Sequence, residues 1–360
     1  MKRLVLCCDG TWNSADQASN GVPCLTNVLG TAFRVAKRTG EILQIVFYEQ
    51  GVGTGNLIDR LSGGAFGQGL ADNIYDAYRF LIANYESGDE IFLFGFSRGA
   101  FTVRSLGGLI RKCGILKRDA VSRYHEALQL YRRSDCHPND DLAVEFRRQH
   151  SVTGADDVPV RFVGVWDTVG ALGIPLRGLR SLTRTKYQFH DTQLSRCVQS
   201  AFHALAIDEH RFPFEATLWE YVPKEGQTIE QVWFSGAHSD VGGGYPQPGH
   251  SNIALNWMLE KAKGCGLALD ELALKAYPLH QDPLEPLHNS MRLWYRPPIV
   301  RIIGLVKRPN IDPSKSTPEP DPTQSIHDSV ISRWDGDAQY RPQALVDYFK
   351  RKGDPRVTTS

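Results

Sequence analysis

No apolar run in this 360-residue chain approaches the roughly 20 residues that cross a bilayer as a helix. The opening run, Leu4–Cys8, stops at Asp9, too short for the apolar segment of a signal peptide, and no small-residue cleavage site follows. The cytoplasm is therefore the expected location, with secretion independent of a cleavable signal left open. An excess of charge is missing too: 41 basic against 40 acidic residues give a formal net charge of +1. That balance supplies no global attraction for nucleic acid or an anionic membrane, and no basic patch with interleaved aromatics points to nucleic acid as a partner. The seven cysteines are odd in number and form no CxxC pair. With no His/Cys spacing suited to zinc, neither a disulfide framework nor a metal centre is expected, and no cofactor is implied. Repeats and heptads are absent, which excludes solenoids and coiled coils. The glycine-rich loop Gly51-Val52-Gly53-Thr54-Gly55 lacks the Lys-Ser/Thr of a P-loop, and no dinucleotide fingerprint occurs, so a nucleotide-binding reading falls behind.

What is present is a 41% hydrophobic content and a 22% charged content, enough for a sizeable core under an ordinary polar surface. Short apolar runs recur, each ending in glycine or a polar residue: Leu4–Cys8, Ile45–Phe47 with Tyr48, Ile91–Phe94, Val160–Trp166 and Val232–Phe234. They are apolar throughout rather than alternating, as central strands covered on both faces are. Between them, Leu70–Asn84, Phe101–Cys113 and Asn252–Lys263 carry helical spacing, the last two stopped by Gly114 and Gly264. Val198–Ile207 also reads as an apolar helical stretch. Strands alternating with helices predict an α/β fold with a mostly parallel sheet and helices on both faces. Residues 1–360 are read as one domain, with a polar helical insertion or cap at 117–150 and a flexible proline- and charge-rich loop at 309–323.

Gly95-Phe96-Ser97-Arg98-Gly99 matches G-x-S-x-G, the nucleophile elbow. A reactive serine on a sharp strand-to-helix turn needs glycines two positions either side, because larger side chains would meet neighbouring backbone. Five residues with three fixed recur by chance, and a serine there can be a simple helix cap. The context favours a nucleophile: an apolar strand precedes the motif and an apolar-faced helix follows. The helix would aim its N-terminal N–H groups at an oxyanion, with Arg98 as one donor. A second donor would come from the loop after the first strand, at Gly10 or Thr11, where a plain Asx turn is the competing reading.

The base should be a histidine downstream of Ser97. His203, His210, His238 and His327 are the choices. His203 lies in the apolar stretch Val198–Ile207 and reads as a core histidine. His238 follows Val232–Phe234 and precedes Gly242-Gly243-Gly244, a strand end where an exposed, mobile imidazole fits, and is preferred. Two acids stay open. Asp167 ends the strand Val160–Trp166 at the sheet edge of Ser97; Asp208 lies nearer His238 in sequence but could simply pair with Arg211. Asp240 is expected to shape the His238 loop.

These segments resemble the uncharacterised α/β-hydrolase domain family that includes the phospholipase effectors of type VI secretion systems. The resemblance runs through Leu6–Asn13, Gly95–Ala100, Val163–Gly173, His203–Arg211, Phe234–Tyr245 and Ile326–Pro342, in order along nearly the whole chain. It implies a Ser97–His238–aspartate triad acting on carboxylic esters through an acyl-enzyme, with phospholipid as one substrate among several. The secreted effectors of that family carry extra membrane-contacting regions beyond the hydrolase domain, and no such extension is expected in this chain. A transient membrane contact would fall to Pro298–Val306, for which a buried strand or helix is the competing reading. The rival to an esterase is a catalytically silent hydrolase fold serving as a binding or scaffold module. Nothing in the pattern specifies an oligomeric state.

Overall fold

In the computed structural model, β1 (Lys2–Cys8) is buried from Arg3 onward. The residues described are 1–10, 18–19, 21–51, 63–169, 193–211, 214–222, 224–291 and 321–357. After β1 come the short antiparallel pair β2 (Ala18–Ser19) and β3 (Val22–Pro23), then α1 (Asn27–Arg34), β4 (Arg38–Thr39) and β5 (Ile42–Glu49). The chain continues through α2 (Gly63–Asn84), β6 (Glu90–Phe96), α3 (Arg98–Cys113), a 3-10 turn (Arg118–Arg123), α4 (Tyr124–Arg132), α5 (Asp141–His150) and β7 (Val160–Trp166). It then forms β8 (Val198–Ala206), β9 (Thr228–Phe234), α6 (His238–Gly242), α7 (Gly249–Gly264) and α8 (Glu271–Ala276). The final elements are β10 (Gln324–Ile326), α9 (Asp328–Gly336) and α10 (Gln343–Lys352).

The eight-stranded sheet has the order β10-β9-β8-β7-β6-β1-β5-β4. All pairings are parallel except the antiparallel contact of β4 with β5. From β1 the chain goes outward to β5 and then crosses back to β6 on the other side. This reversal makes the carboxyl ends of β1 and β6 a topological switch point, where open α/β sheets form a crevice. Register sets its floor: Cys8 lies beside Gly95, Phe96 beside Trp166, and Trp166 beside Ala204. Ser97 and Asp167 therefore leave their strands at the same height.

Alternating residues of β1 feed two cores. Leu4, Leu6 and Cys8 join the face covered by α2 and α3, and Val5 and Cys7 join the face covered by α1 and α7. On the second face Phe92, Phe162 and Phe202 stack in a row across three strands, with centroid separations of 5.9 and 5.3 Å. A third cluster, Trp233 with Val330, Trp334, Leu345 and Phe349, seats the C-terminal helices on the β9 side.

Two expectations change here. Val198–Ala206 is strand β8, not helix. It lies between β7 and β9 with both faces covered, so its apolar residues show no period of two, and its alanines suggested a helix. In the segment 117–150, helices α4 and α5 do form, but they pack toward the far end of α3. The Arg147 guanidinium donates to the carbonyls of Lys112 and Pro138 at 3.1 and 2.8 Å. With about 1.5 Å of rise per residue, that end of α3 is roughly 20 Å from Ser97. Of the 309–323 loop, residues 309–320 lie outside the described residues; Thr323 is buried and its carbonyl accepts from Gln231 N–H at 2.8 Å.

Two glycines of α3 should respond oppositely to alanine. A Cβ on Gly99 would stand 2.0 Å from the Cys8 carbonyl oxygen and 2.5 Å from that of Asp9. Neither backbone can yield, so Gly99→Ala is expected to cost at least about 3 kcal/mol. A Cβ on Gly107 meets nothing within 4 Å, so Gly107→Ala should stabilise by about 0.5–1 kcal/mol. Urea unfolding of both variants checks the pair.

Candidate active site

Ser97 sits at the N-cap of α3 with φ 57° and ψ −118°, a conformation rarely adopted by residues with a side chain. Such a residue stores about 1–3 kcal/mol of strain, held here by its surroundings. Its N–H donates to the Trp166 carbonyl at 3.0 Å, tying the turn to β7. The flanking glycines are required: besides Gly99 against β1, a Cβ on Gly95 would lie 2.5 Å from the Gly99 carbonyl oxygen. The Ser97 side chain stands at the N-terminus of a 16-residue helix, where free N–H groups and the helix dipole favour developing negative charge. Arg98, next in sequence, is half-buried, and desolvation lowers its guanidinium pKa to about 10.

Asp167 is, among the described residues, the other one with a side chain at positive φ, 38°, and it is fully buried. Its Oδ1 accepts from the Ala206 N–H at 3.1 Å, and its Oδ2 lies 2.6 Å from Nδ1 of His238. A carboxylate can only accept, so Nδ1 carries the proton and Nε2 the lone pair. His238 opens α6, and its ring lies against Phe96 at 4.5 Å and edge-on to Phe214 at 4.8 Å. It is buried, not exposed and mobile as its glycine-rich loop suggested. Burial lowers its pKa from the usual 6.5, against the opposing pull of Asp167.

Asp208 has other partners. Its Oδ2 accepts from the Gly236 N–H at 2.7 Å and the Tyr340 hydroxyl at 2.8 Å, and burial raises its pKa. It fastens the ends of β8 and β9 to the C-terminal helices, and Arg211 pairs with Glu209 instead. Sequence reasoning missed Glu209. Fully buried, it takes two hydrogen bonds from the Arg211 guanidinium, at 2.9 and 2.8 Å, and one from the Ser290 hydroxyl. It also accepts from the backbone N–H of His238 at 3.3 Å. Burial alone would raise the Glu209 pKa, but the Arg211 hydrogen bonds and charge leave it lowered. The visible signal was the Glu-x-Arg spacing in Asp208-Glu209-His210-Arg211. Asp240 shapes the His238 turn as expected, accepting from Ala237 N–H at 2.9 Å, and it also holds His288 Nδ1 at 2.7 Å. His203 is a core histidine accepting from Thr168 N–H, and His327 caps α9.

On the β1 side, Asp9 is buried and collects three donors. Gly10 N–H reaches Oδ1 at 2.7 Å, and the hydroxyls of Thr26 and Tyr48 reach Oδ2 at 2.5 and 2.9 Å. The Gly10 amide is thus engaged within its own loop, and Thr11 lies outside the described residues. So do residues 52–55 of the glycine-rich loop and Pro298–Val306. Thr26 caps α1, whose Asn27 side chain donates to the carbonyls of Val241 and Ser251. This chain of contacts binds the end of β1 to the helix that carries His238. Among the described residues no group of three or more His, Cys, Asp or Glu is arranged to hold a metal.

A mostly parallel sheet with a strained serine turn at its switch point defines a protein of α/β-hydrolase type, and the carboxylate-held His238 packs on Phe96, the residue before that serine. Residues 2–261 match the family described as T6SS, Phospholipase effector Tle1-like, catalytic domain, and the chain belongs to it. An uncharacterized protein of Saccharomyces cerevisiae is 31% identical over 251 residues, covering 62% of this chain and 34% of that protein. The chain thus spans about a third of that relative's length. Among solved structures, an uncharacterized protein from Pseudomonas aeruginosa aligns with a TM-score of 0.44 at 18% identity, over 75% of this chain and 46% of the other. The Tle1 effector bound to the VgrG spike of the type 6 secretion system aligns with a TM-score of 0.37 at 19% identity, over 68% and 51%. No described helix is long and apolar enough to cross a membrane.

The His238 ring gives a direct physical prediction. Its imidazole should titrate below 6.5, because burial disfavours the charged form. Asp167→Asn should lower it further by removing the carboxylate that favours the proton. Histidine-resolved NMR titration checks both, and a rise in the variant would contradict the assignment.

Proposed function

We propose that the protein is a serine hydrolase that cleaves carboxylic esters, with glycerophospholipid as its substrate class. Ser97 is the nucleophile, His238 the general base, and Asp167 the acid that orients it. The observation that supports this most is the 2.6 Å contact of His238 Nδ1 with Asp167, at the sheet edge where Ser97 turns at positive φ.

In this reading Nε2 of His238 takes the hydroxyl proton as Ser97 Oγ attacks the ester carbonyl. Asp167 holds the ring in the tautomer that leaves Nε2 free to accept and stabilises the imidazolium that forms. The Arg98 N–H, at the start of α3, donates to the oxyanion. Because Gly10 N–H is engaged by Asp9, a second donor from this loop is sought beyond Gly10, where the sequence has Thr11. The alcohol leaves with the proton from His238. Water, deprotonated by the same imidazole, then attacks the acyl-enzyme and releases the acid. Asp208 takes no part in this scheme and serves as a structural tie. Family membership supports the phospholipid substrate.

Fluorophosphonate should label the wild type and not Ser97→Ala, and the variant should lose hydrolysis across a panel of esters and phospholipids. Asp167→Asn should lower kcat by on the order of 10⁴, through the wrong tautomer. Because a base works when neutral and His238 is shifted downward, the acid limb of kcat/KM should fall below pH 6.5. Full esterase activity in purified Ser97→Ala would sink the proposal.

A further inference from the structure

A cavity of about 280 Å³ lies along α3, walled by that helix, the segment after α4, and residues around Leu194, Val198 and Trp219. It is remote from the elbow: Gly107, on its wall, follows Ser97 by ten residues, roughly 15 Å along the helix axis. Its lining includes Arg104, Arg111, Lys112 and Arg133 and, among the described residues, neither Asp nor Glu. A chain with a net charge of only +1 has gathered four cations on one concave wall.

Arg133 is paired with Asp135 through two hydrogen bonds, at 3.1 and 2.8 Å, and the other cations turn to carbonyls and a shared carboxylate. The Lys112 ammonium, nearly buried, donates to the carbonyls of Arg133 and Tyr131 at 2.6 and 3.4 Å. Arg111, equally buried, shares the Asp157 carboxylate with Arg196, each at 2.8 Å, and its other amino group donates to the Asn139 side-chain oxygen. Arg104 donates to the Thr217 and Leu218 carbonyls with its guanidinium 4.7 Å over the Trp219 ring. Burial lowers the pKa of both Lys112 and Arg111, so carbonyl dipoles and a shared carboxylate do not repay their desolvation. A bound anion would.

The helix itself keeps the space open. Gly107 lies mid-helix, where glycine is less stable than alanine, yet an added Cβ would meet nothing within 4 Å. No clash requires glycine there, and the emptiness in front of it is the cavity. Val103, Val163, Leu194 and Val198 give the wall an apolar stretch, beside polar side chains such as Ser105, His137 and Gln193. We infer that this cavity is a second binding site, separate from Ser97, for an amphiphilic oxyanion: a carboxylate or phosphate monoester head on a short alkyl tail. The head meets Lys112 and Arg111, and the tail lies against the valines.

Calorimetric titration of the full chain with octanoate and with octyl phosphate tests this, with octanol and inorganic phosphate as controls lacking head or tail. At least one amphiphilic anion should bind tenfold tighter than both controls, and which one it is names the head group. Gly107→Leu, which fills the cavity without deleting a polar contact, should weaken that binding at least tenfold. Lys112→Met should do likewise while leaving octanol unchanged. Should Lys112→Met fail to fold, Gly107→Leu decides alone. Affinity no better than the controls overturns the inference. So does unchanged affinity in Gly107→Leu, since it places the anion elsewhere, as beside Ser97.

Discussion

The backbone of Gly99 lies so close to the end of β1 that even a methyl group there would stand 2.0 Å from the Cys8 carbonyl oxygen. That approach draws α3 down onto the neighbouring strand and forces the tight turn between β6 and the helix. The left-handed conformation of Ser97 is its consequence, and the N–H bond from Ser97 to Trp166 carries the turn across to β7. Loosening this contact would move the serine, the helix N-terminus and the switch-point crevice together, because all three share one rigid corner.

The histidine side is held by different means. α6 has only five residues, too short to be stable alone, so neighbours must fix it. Asp240 caps its first turn, Glu209 accepts from the His238 N–H, and the Asn27 side chain of α1 donates to its Val241 carbonyl. Gly243, just after it, crosses the start of α1 where a Cβ would lie 2.8 Å from backbone atoms. The buried Asp9 closes this ring through Thr26. The imidazole is thus held from the β1 side by backbone packing and from the β7 side by Asp167. A short hydrogen bond can persist in such a place because the low dielectric strengthens it and leaves no competing water.

Charge tells a similar story at two scales. Summed over the chain it nearly vanishes, yet Asp9, Asp167, Asp208 and Glu209 cluster at the carboxyl edge of the sheet, and cations line the cavity along α3. The buried acids are matched by hydroxyls, amides, histidine and arginine, as burial demands. They rigidify the sheet edge that the proposed chemistry needs.

Much of this was legible in the residues. Strands β1, β5, β6, β7 and β9 announce themselves as short apolar runs ending in glycine or a polar residue, and the spacing Gly95-x-Ser97-x-Gly99 carries its own steric reason. The Val198–Ala206 strand was hidden because a strand buried on both faces loses its alternation. Asp167 and Asp208 could not be separated by sequence. Both follow apolar segments, and each can be drawn toward His238 on paper. Only the parallel register, which sets Phe96 beside Trp166 and delivers α6 over the same edge, puts the Asp167 carboxylate against Nδ1 and leaves Asp208 to Gly236 and Tyr340. The sequence by itself determined the fold class and the serine turn, because these rest on local sterics and hydrophobic patterning. The tertiary structure decided the carboxylate partner, the role of Glu209 and the cationic cavity, because each depends on atoms brought together from segments far apart in the chain.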